Sequence, residues 1–422
     1  MTLSKVVEHI VLRRPRFLGV PMYQGSRETA LTLCREVKQL LPDTVIVGGG
    51  PLMTTFYDDL LRDPAIDIGV IGEGEVTLEE LVRAGPGADP RNIPGLAFRT
   101  NDSPGSVMRS ADRAPIESLD GLPYLDYGLI DQRPYYAFHE RLNMPRWLFL
   151  SSSRGCPFAC VFCATPVLWP GKMRRLSVER LMDEIHYQRK LDPGIGIGFM
   201  DDSFFSDKPW LNRFFKAVAR EKIRYCCIGR ADHLEPADVE NLARTGCHYV
   251  ALGVETGNQI RQKTIRKYLD LSKVRRTVQA LSRHKIICKC FFILGFPDET
   301  PQEMVETVNF AVDLKRDGMD ECNIFPLSLY PGTELAKGYD RSGFRSDIYK
   351  GFDRGNRPIE ELSKDEDHGE KRLSIYSSVP SADLNSWLGH EALLALVKLA
   401  YNKVEKKEYL TLEELRAATG RG

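Results

Sequence analysis

Apolar and polar positions along this chain follow two periods that hand over to one another. Short apolar runs bounded by Gly and Pro read as buried strands, and stretches with apolar residues three and four apart read as helices. In the first part, strands are predicted at Arg16 to Met22, Thr44 to Val47 and Ile66 to Ile71, with a helix from Arg27 to Leu41 after the first. The second strand runs into Gly48-Gly49-Gly50-Pro51 and the third into Gly72-Glu73-Gly74-Glu75. Thr77, with Glu80 three residues on, reads as a capping box opening the next helix. Strand, glycine turn and helix in repetition predict a doubly wound parallel sheet, which binds ligands where its strands end.

Residues Gly85 to Arg146, rich in Pro, Gly and Asp, read as a linker holding a hairpin at Gly95 to Arg109 and the turn-rich Leu122 to Asp126. From Trp147 the alternation of strand and helix returns six times. The strands are expected at Trp147–Ser152, Ile195–Asp202, Ile223–Arg230, Tyr249–Glu255, Ile286–Gly295 and Asn323–Leu329. A helix starting at Ser177 would bury Val178, Leu181, Met182 and Ile185. Six β/α units fall short of the eight of a closed barrel. Beyond Arg345, a charged polar segment (Glu360 to Lys371) precedes an apolar helix, Leu388 to Val404, and a second capping box, Thr411 with Glu414. The expected divisions are therefore 1–85, 86–146, 147–345 and 346–422.

The 422 residues balance 58 basic against 58 acidic side chains. That neutrality implies no nucleic-acid partner and no anionic-membrane surface. No apolar run is long enough to span a bilayer and no signal peptide is read at the N-terminus, so a cytoplasmic location is expected. Ten cysteines in such a chain read as reduced thiols plus a metal site.

The chemistry centres on Ser151 to Pro166, SSSRGCPFACVFCATP. Cys156, Cys160 and Cys163 stand in a C-x3-C-x2-C spacing directly after the strand at Trp147. Three soft thiolates on one loop suit an iron–sulfur cluster or zinc. Structural zinc takes four protein ligands, and no fourth Cys or His is near in sequence. A redox thiol group or three unrelated core cysteines are the plainer alternatives.

With an aromatic, Phe162, before the last cysteine, this spacing resembles the signature of the radical S-adenosylmethionine (SAM) enzymes. The strand ends agree: Asp201-Asp202 in FMDDSFF, Arg230 in GRADHL, Glu255 in ALGVETG, Gly295-Phe296-Pro297-Asp298-Glu299-Thr300, and Tyr330-Pro331-Gly332-Thr333 resemble turns of that superfamily in order. The two glycine turns of the N-terminal part resemble the cobalamin (B12)-binding domain of one subfamily. That domain is shortened here by a strand–helix pair, and Leu52 stands where the subfamily often has His. The fold implied is a partial (β/α)6 radical SAM barrel, preceded by a shortened doubly wound α/β, B12-binding-like domain and followed by a C-terminal helical extension.

The resemblance also implies roles. Cys156, Cys160 and Cys163 would hold a [4Fe–4S] cluster whose open iron binds SAM. Arg230 and Glu255 would take SAM's carboxylate and its amino group or ribose, Phe162 would lie against the adenine, and the backbone near Phe296 would help hold it. Gly49, Gly50, Gly72 and Gly74 would let cobalamin lie on the strand ends; otherwise the domain is kept for packing alone. Asp202 and Tyr330 are candidate catalytic residues, although an Asp at either 201 or 202 equally suits a helix cap. Cys226, Cys227, Cys288 and Cys290 read as core. The activity implied is cobalamin-dependent methylation of a carbon in a small-molecule or secondary-metabolite substrate, with a reductant such as flavodoxin or ferredoxin. The rival is cobalamin-independent radical chemistry: dehydration, epimerisation or cyclisation. A cluster- or zinc-stabilised binding protein is the non-enzymatic alternative.

Overall fold

The computed structural model describes residues 2–100, 105–131, 146–171, 173–221, 223–338, 388 and 390–420. The chain forms two compact units, one of residues 1–116, 162–170 and 328–379, the other of residues 117–161, 171–327 and 380–422.

In the first unit, α1 (Leu3–Arg13) packs against α2 (Arg27–Leu40). Three parallel strands, β1 (Phe17–Pro21), β2 (Val45–Gly49) and β3 (Ile68–Val70), run side by side in chain order. Helices α3 (Pro51–Leu60) and α4 (Gly74–Ala84) start at the C-terminal ends of β2 and β3. The Thr77–Glu80 capping box does not form. The helix opens three residues earlier, at Gly74, so Thr77 lies inside it and donates its hydroxyl to Pro94 O. The hairpin expected within a linker is instead part of this sheet: β4 (Leu96–Arg99) and β5 (Val107–Arg109) extend it antiparallel from β3. Leu96 and Phe98 share a core with Val47, Val70 and Leu81.

In the second unit, six strands form one fully parallel sheet in chain order: β6 (Trp147–Leu150), β7 (Gly196–Phe199), β8 (Tyr225–Arg230), β9 (Cys247–Glu255), β10 (Ile287–Leu294) and β11 (Glu321–Pro326). The short helix α5 (Thr165–Leu168), which belongs to the first unit, follows the cysteine loop. Between the strands run α6 (Val178–Leu191), α7 (Lys208–Val218), α8 (Pro236–Arg244), α9 (Leu271–Arg283) and α10 (Pro301–Arg316). Ser177 caps α6, and Val178, Leu181, Met182 and Ile185 are buried on it, as the periodicity predicts. The C-terminal helix α11 (His390–Lys406) packs on β11 and α10, where the helix of a sixth β/α unit belongs. Its Leu393, Leu396, Val397, Ala400 and Val404 are buried. A last helix, α12 (Leu412–Thr419), opens with the expected Thr411–Glu414 capping box.

Residues 117–131 of the expected linker are strapped along α6. Arg180 donates to Leu122 O, Gln188 donates to Leu125 O, and the Arg180 guanidinium lies 3.7 Å from the Tyr124 ring centre. The strap then reaches the edge strand, where Tyr127 OH donates to Phe149 O at 2.9 Å. The polar segment Glu360 to Lys371 lies outside the described residues. No described helix is long and apolar enough to cross a membrane.

Candidate active site

The cysteine loop leaves β6, and up to Val161 it is pinned at three points within the second unit. At its start, Ser152 Oγ donates to Asp201 Oδ1 at 2.9 Å, and Ser153 Oγ donates to the same oxygen. Asp201 is buried, and that burial pushes its carboxyl above the usual range. It is no helix cap: Asp207 caps α7, accepting from Trp210 N. Its neighbour Asp202 is exposed at the strand end. At mid-loop, Phe158 lies under the Arg230 guanidinium, 3.8 Å from ring centre to Cζ. Between the second and third cysteines, Val161 N donates to Ile265 O at 3.1 Å.

Arg230 and Glu255, expected to act together, are joined by a residue the sequence did not single out. Lys267 Nζ donates to Glu255 Oε1 at 2.9 Å, and Lys267 O accepts from Arg230 Nη2 at 2.7 Å. Asp232 accepts from Nε and Nη2 of Arg230, at 3.1 and 2.8 Å. All of Arg230, Glu255 and Lys267 are buried, and Arg230 Nη1 makes no hydrogen bond there. Among the described residues, three of the six non-glycine residues with positive φ meet at this pair: Glu255 (φ 70°), Arg266 (φ 54°) and Tyr268 (φ 58°). Backbone strain of this kind persists only where the surroundings over-determine it. Gly253 explains the Gly-x-Glu spacing, because the ion pair folds back over its missing side chain.

The Gly-Phe-Pro turn after β10 is closed by Glu299, whose Oε2 accepts from Gly295 N at 2.6 Å and Phe296 N at 3.1 Å. The Phe296 N–H is thus already engaged and its ring is buried. Burial pushes the Glu299 carboxyl up to about 8. Leu393 of α11 covers Gly295 from outside.

In the first unit, the two glycine turns lie side by side. Thr54 Oγ1 accepts from Gly72 N at 3.1 Å and donates to Gly50 O at 3.0 Å, tying one turn to the other. Gly50 (φ 93°) and Gly72 (φ 73°) need their left-handed conformations. A Cβ on Gly72 would meet nothing within 4 Å, and one on Gly49 only Val70 at 4.0 Å. This open backbone fits a broad flat ligand such as a corrin. Gly74 is the first residue of α4, and Leu52 is buried in the core. Helix α5, two residues beyond Cys163, packs on α3, the helix that the Gly-Gly-Pro turn opens. Phe162 is half-buried in this unit. Tyr330 also belongs here: it is exposed, in a turn closed by Thr333 Oγ1 donating to Tyr330 O, and Gly332 of that turn rests on Val167 and Thr55.

None of the ten cysteines is in a disulfide. Cys156, Cys160 and Cys163 are partly accessible, whereas six of the other seven are buried, so the loop thiols fit a cluster by type, number and access. Among the described residues no group of three or more His, Cys, Asp or Glu side chains is gathered as a metal site. Cys227, Cys288 and Cys290 are core residues as expected, while Cys226 is half-exposed on the inner face of the sheet.

The profile of the Radical SAM superfamily matches residues 150–311, and that of the B12 binding domain matches residues 2–82. The chain thus carries a radical SAM domain, with a B12-binding domain ahead of it. The cofactors that go with these two domains are a [4Fe–4S] cluster, SAM and cobalamin. The chain is 28% identical over 342 residues to an uncharacterized methyltransferase of Pyrococcus horikoshii, covering 79% of this chain and 72% of the relative. It is 26% identical over 317 residues to the anaerobic magnesium-protoporphyrin IX monomethyl ester cyclase of Synechocystis, covering 73% of this chain and 62% of the cyclase. Its fold is similar to that of the radical SAM methyltransferase TsrM from Kitasatospora setae, with a TM-score of 0.67 at 18% identity, covering 79% of this chain and 66% of that one. The chain thus spans between about three fifths and three quarters of the length of these proteins.

Proposed function

We propose that the chain is a cobalamin-dependent radical SAM methyltransferase acting on carbon in a small-molecule biosynthetic substrate. The observation that carries this reading is the packing of α5, at the end of the cysteine loop, on the helix opened by the Gly-Gly-Pro turn. One compact unit thereby supports both the last cluster cysteine and the open glycine backbone suited to a corrin. The naming of the Pyrococcus relative and of TsrM as methyltransferases agrees with it.

When bound, the cluster supplies the electron that cleaves SAM, and cobalamin carries the methyl group. The chain's own residues bind and orient. Cys156, Cys160 and Cys163 hold the cluster, with Asp201 and Phe158 fixing the loop that carries them. Glu255 accepts from the SAM amino group, Arg230 offers Nη1 to its carboxylate, and Phe162 and the Phe296 turn border the adenine. Gly49, Gly50, Gly72 and Gly74 give the corrin its seat. Asp202 and Tyr330, both exposed, are proposed to meet substrate. A small-molecule substrate, a flavodoxin- or ferredoxin-type reductant and a cytoplasmic location complete the reading.

A second reading, radical cyclisation, is favoured by the likeness to the cyclase of Synechocystis. Anaerobic reconstitution with SAM, cobalamin and reductant separates the two. S-adenosylhomocysteine together with 5′-deoxyadenosine is expected for methyl transfer. Deoxyadenosine alone, with cobalamin retained, would overturn the methyltransferase.

A further inference from the structure

The six-stranded sheet has two unlike faces. Along β10 and β11 every second residue is buried and every other one is accessible. The buried set, Cys288, Cys290, Phe292 and Leu294 among them, is the face covered by helices. The accessible set faces the inside of the open barrel. Its floor carries charge that is already neutralised: Lys289 Nζ lies 3.2 Å from Glu321 Oε2, and Tyr249 OH donates to the same oxygen at 3.1 Å.

Above that floor the inner face changes character. Register aligns Arg230 with Gly253, Gly253 with Phe291, and Phe291 with Asn323, so this wall continues the row that holds the Arg230–Lys267–Glu255 group. The uncharged side chains of this face are Phe149 in the row of Tyr249, Ile228 and Ala251 in the row of Lys289, and Phe291, Ile293 and Phe325 towards the strand ends. Phe149 is 48% exposed although its neighbours Leu148 and Leu150 are buried. Phe291 and Phe325 stack with ring centres 6.0 Å apart and planes 28° from parallel. Asn323 is the neutral polar group of the wall, and burial pushes the Cys226 thiol up to about 12, which keeps it uncharged.

We infer that the part of the substrate entering this barrel is an uncharged, flat apolar ring system, an inference that rests on the proposed function. An anionic group placed among these side chains, below Arg230, would lose its hydration and find no unpaired cation among the described residues of this face, since Lys289 is held by Glu321. A ring system gains from burying apolar area against Phe149 and Ile228 and from stacking on the Phe291–Phe325 pair. Any charged portion of the substrate stays outside, towards the strand ends.

Two probes of one shape and different charge test this: 2-naphthol and naphthalene-2-sulfonate, followed by anaerobic equilibrium dialysis against the full chain reconstituted with cluster and SAM. Saturable 2-naphthol binding is expected, at least about tenfold tighter than the sulfonate, and Phe291→Ala and Phe325→Ala should each weaken it severalfold. Ile228→Lys should reverse the preference by adding the missing cation. Sulfonate binding as tight as naphthol in the wild-type protein would overturn the inference, as would indifference to both Phe substitutions or an unchanged preference in a folded, iron-replete Ile228→Lys. If the variants do not fold, the two probes on the wild type decide. Methyl transfer is read separately: a protein that binds naphthol yet forms no S-adenosylhomocysteine refutes the function and leaves the pocket. One that forms it but prefers the sulfonate refutes the pocket alone.

Discussion

Gly253→Ala disturbs the candidate SAM site through one methyl group. Gly253 lies in β9 with no left-handed φ, so Ala suits its backbone. Its Cβ, however, would stand 2.6 Å from Glu255 Oε1 and 3.0 Å from Lys267 Nζ, where ordinary contact begins at 3.4 Å. The carboxylate must retreat by about 0.8 Å, opening its 2.9 Å bond to Lys267 to about 3.7 Å, beyond hydrogen-bond range. A lost charge-assisted bond costs about 1.5–3 kcal/mol. Against this, Gly to Ala stiffens the unfolded chain and returns about 0.4–1 kcal/mol. The expected result is a net loss of about 1–2 kcal/mol in urea denaturation, with SAM affinity down about tenfold by anaerobic calorimetry and iron content unchanged. A variant that gains the full glycine-to-alanine stabilisation and binds SAM as the wild type does would refute the reasoning: Glu255 would then not depend on the space above Gly253.

Replacing Cys156, Cys160 or Cys163 by Ala should remove the cluster, measured as iron and sulfide content and the visible spectrum, and with it deoxyadenosine formation; a brown, active variant would exclude that cysteine as a ligand. Thr54→Val cuts both hydrogen bonds joining the glycine turns, worth about 1 kcal/mol each. It should lower hydroxocobalamin retention after desalting at least severalfold, while retention equal to wild type would mean the turns hold their arrangement without it. Glu299, raised by burial from the ordinary 4.5 to about 8, is protonated in the folded protein over a range where the unfolded chain is ionised. Its contribution to stability therefore falls as pH rises from about 4.5 to 8. Glu299→Gln should flatten stability against pH in that window, and an unchanged slope in urea melts from pH 5 to 8 would show that Glu299 is ionised in the fold.

The parallel strands of both sheets were legible because each is a short apolar run ending in glycine or a polar turn. β4 and β5 are three or four residues long at a sheet edge, too short to be told from a linker hairpin. The start of α4 was misread because Thr77 has the residue type of a cap while its hydroxyl serves Pro94. Glu255 and Arg230 could be found as polar residues closing apolar strands. Lys267 could not: it lies twelve positions past Glu255 in a turn whose two left-handed residues, Arg266 and Tyr268, are not glycine. Asp201 and Asp202 were indistinguishable in sequence, and only the serines at the head of the cysteine loop separate the buried one from the exposed one.

The helix that covers β11 is encoded far from it: 63 residues, 327–389, separate the end of the strand from the start of α11. During synthesis at about 5–20 residues per second, the apolar underside of β11 waits roughly 3–13 s for its cover. By then the cysteine loop, more than 150 residues upstream of β11, has long left the ribosome. The barrel is therefore built with its cluster loop available first and its last wall closed last, so a ribosome stalled within 327–389 leaves an aggregation-prone chain that already carries all three cluster cysteines.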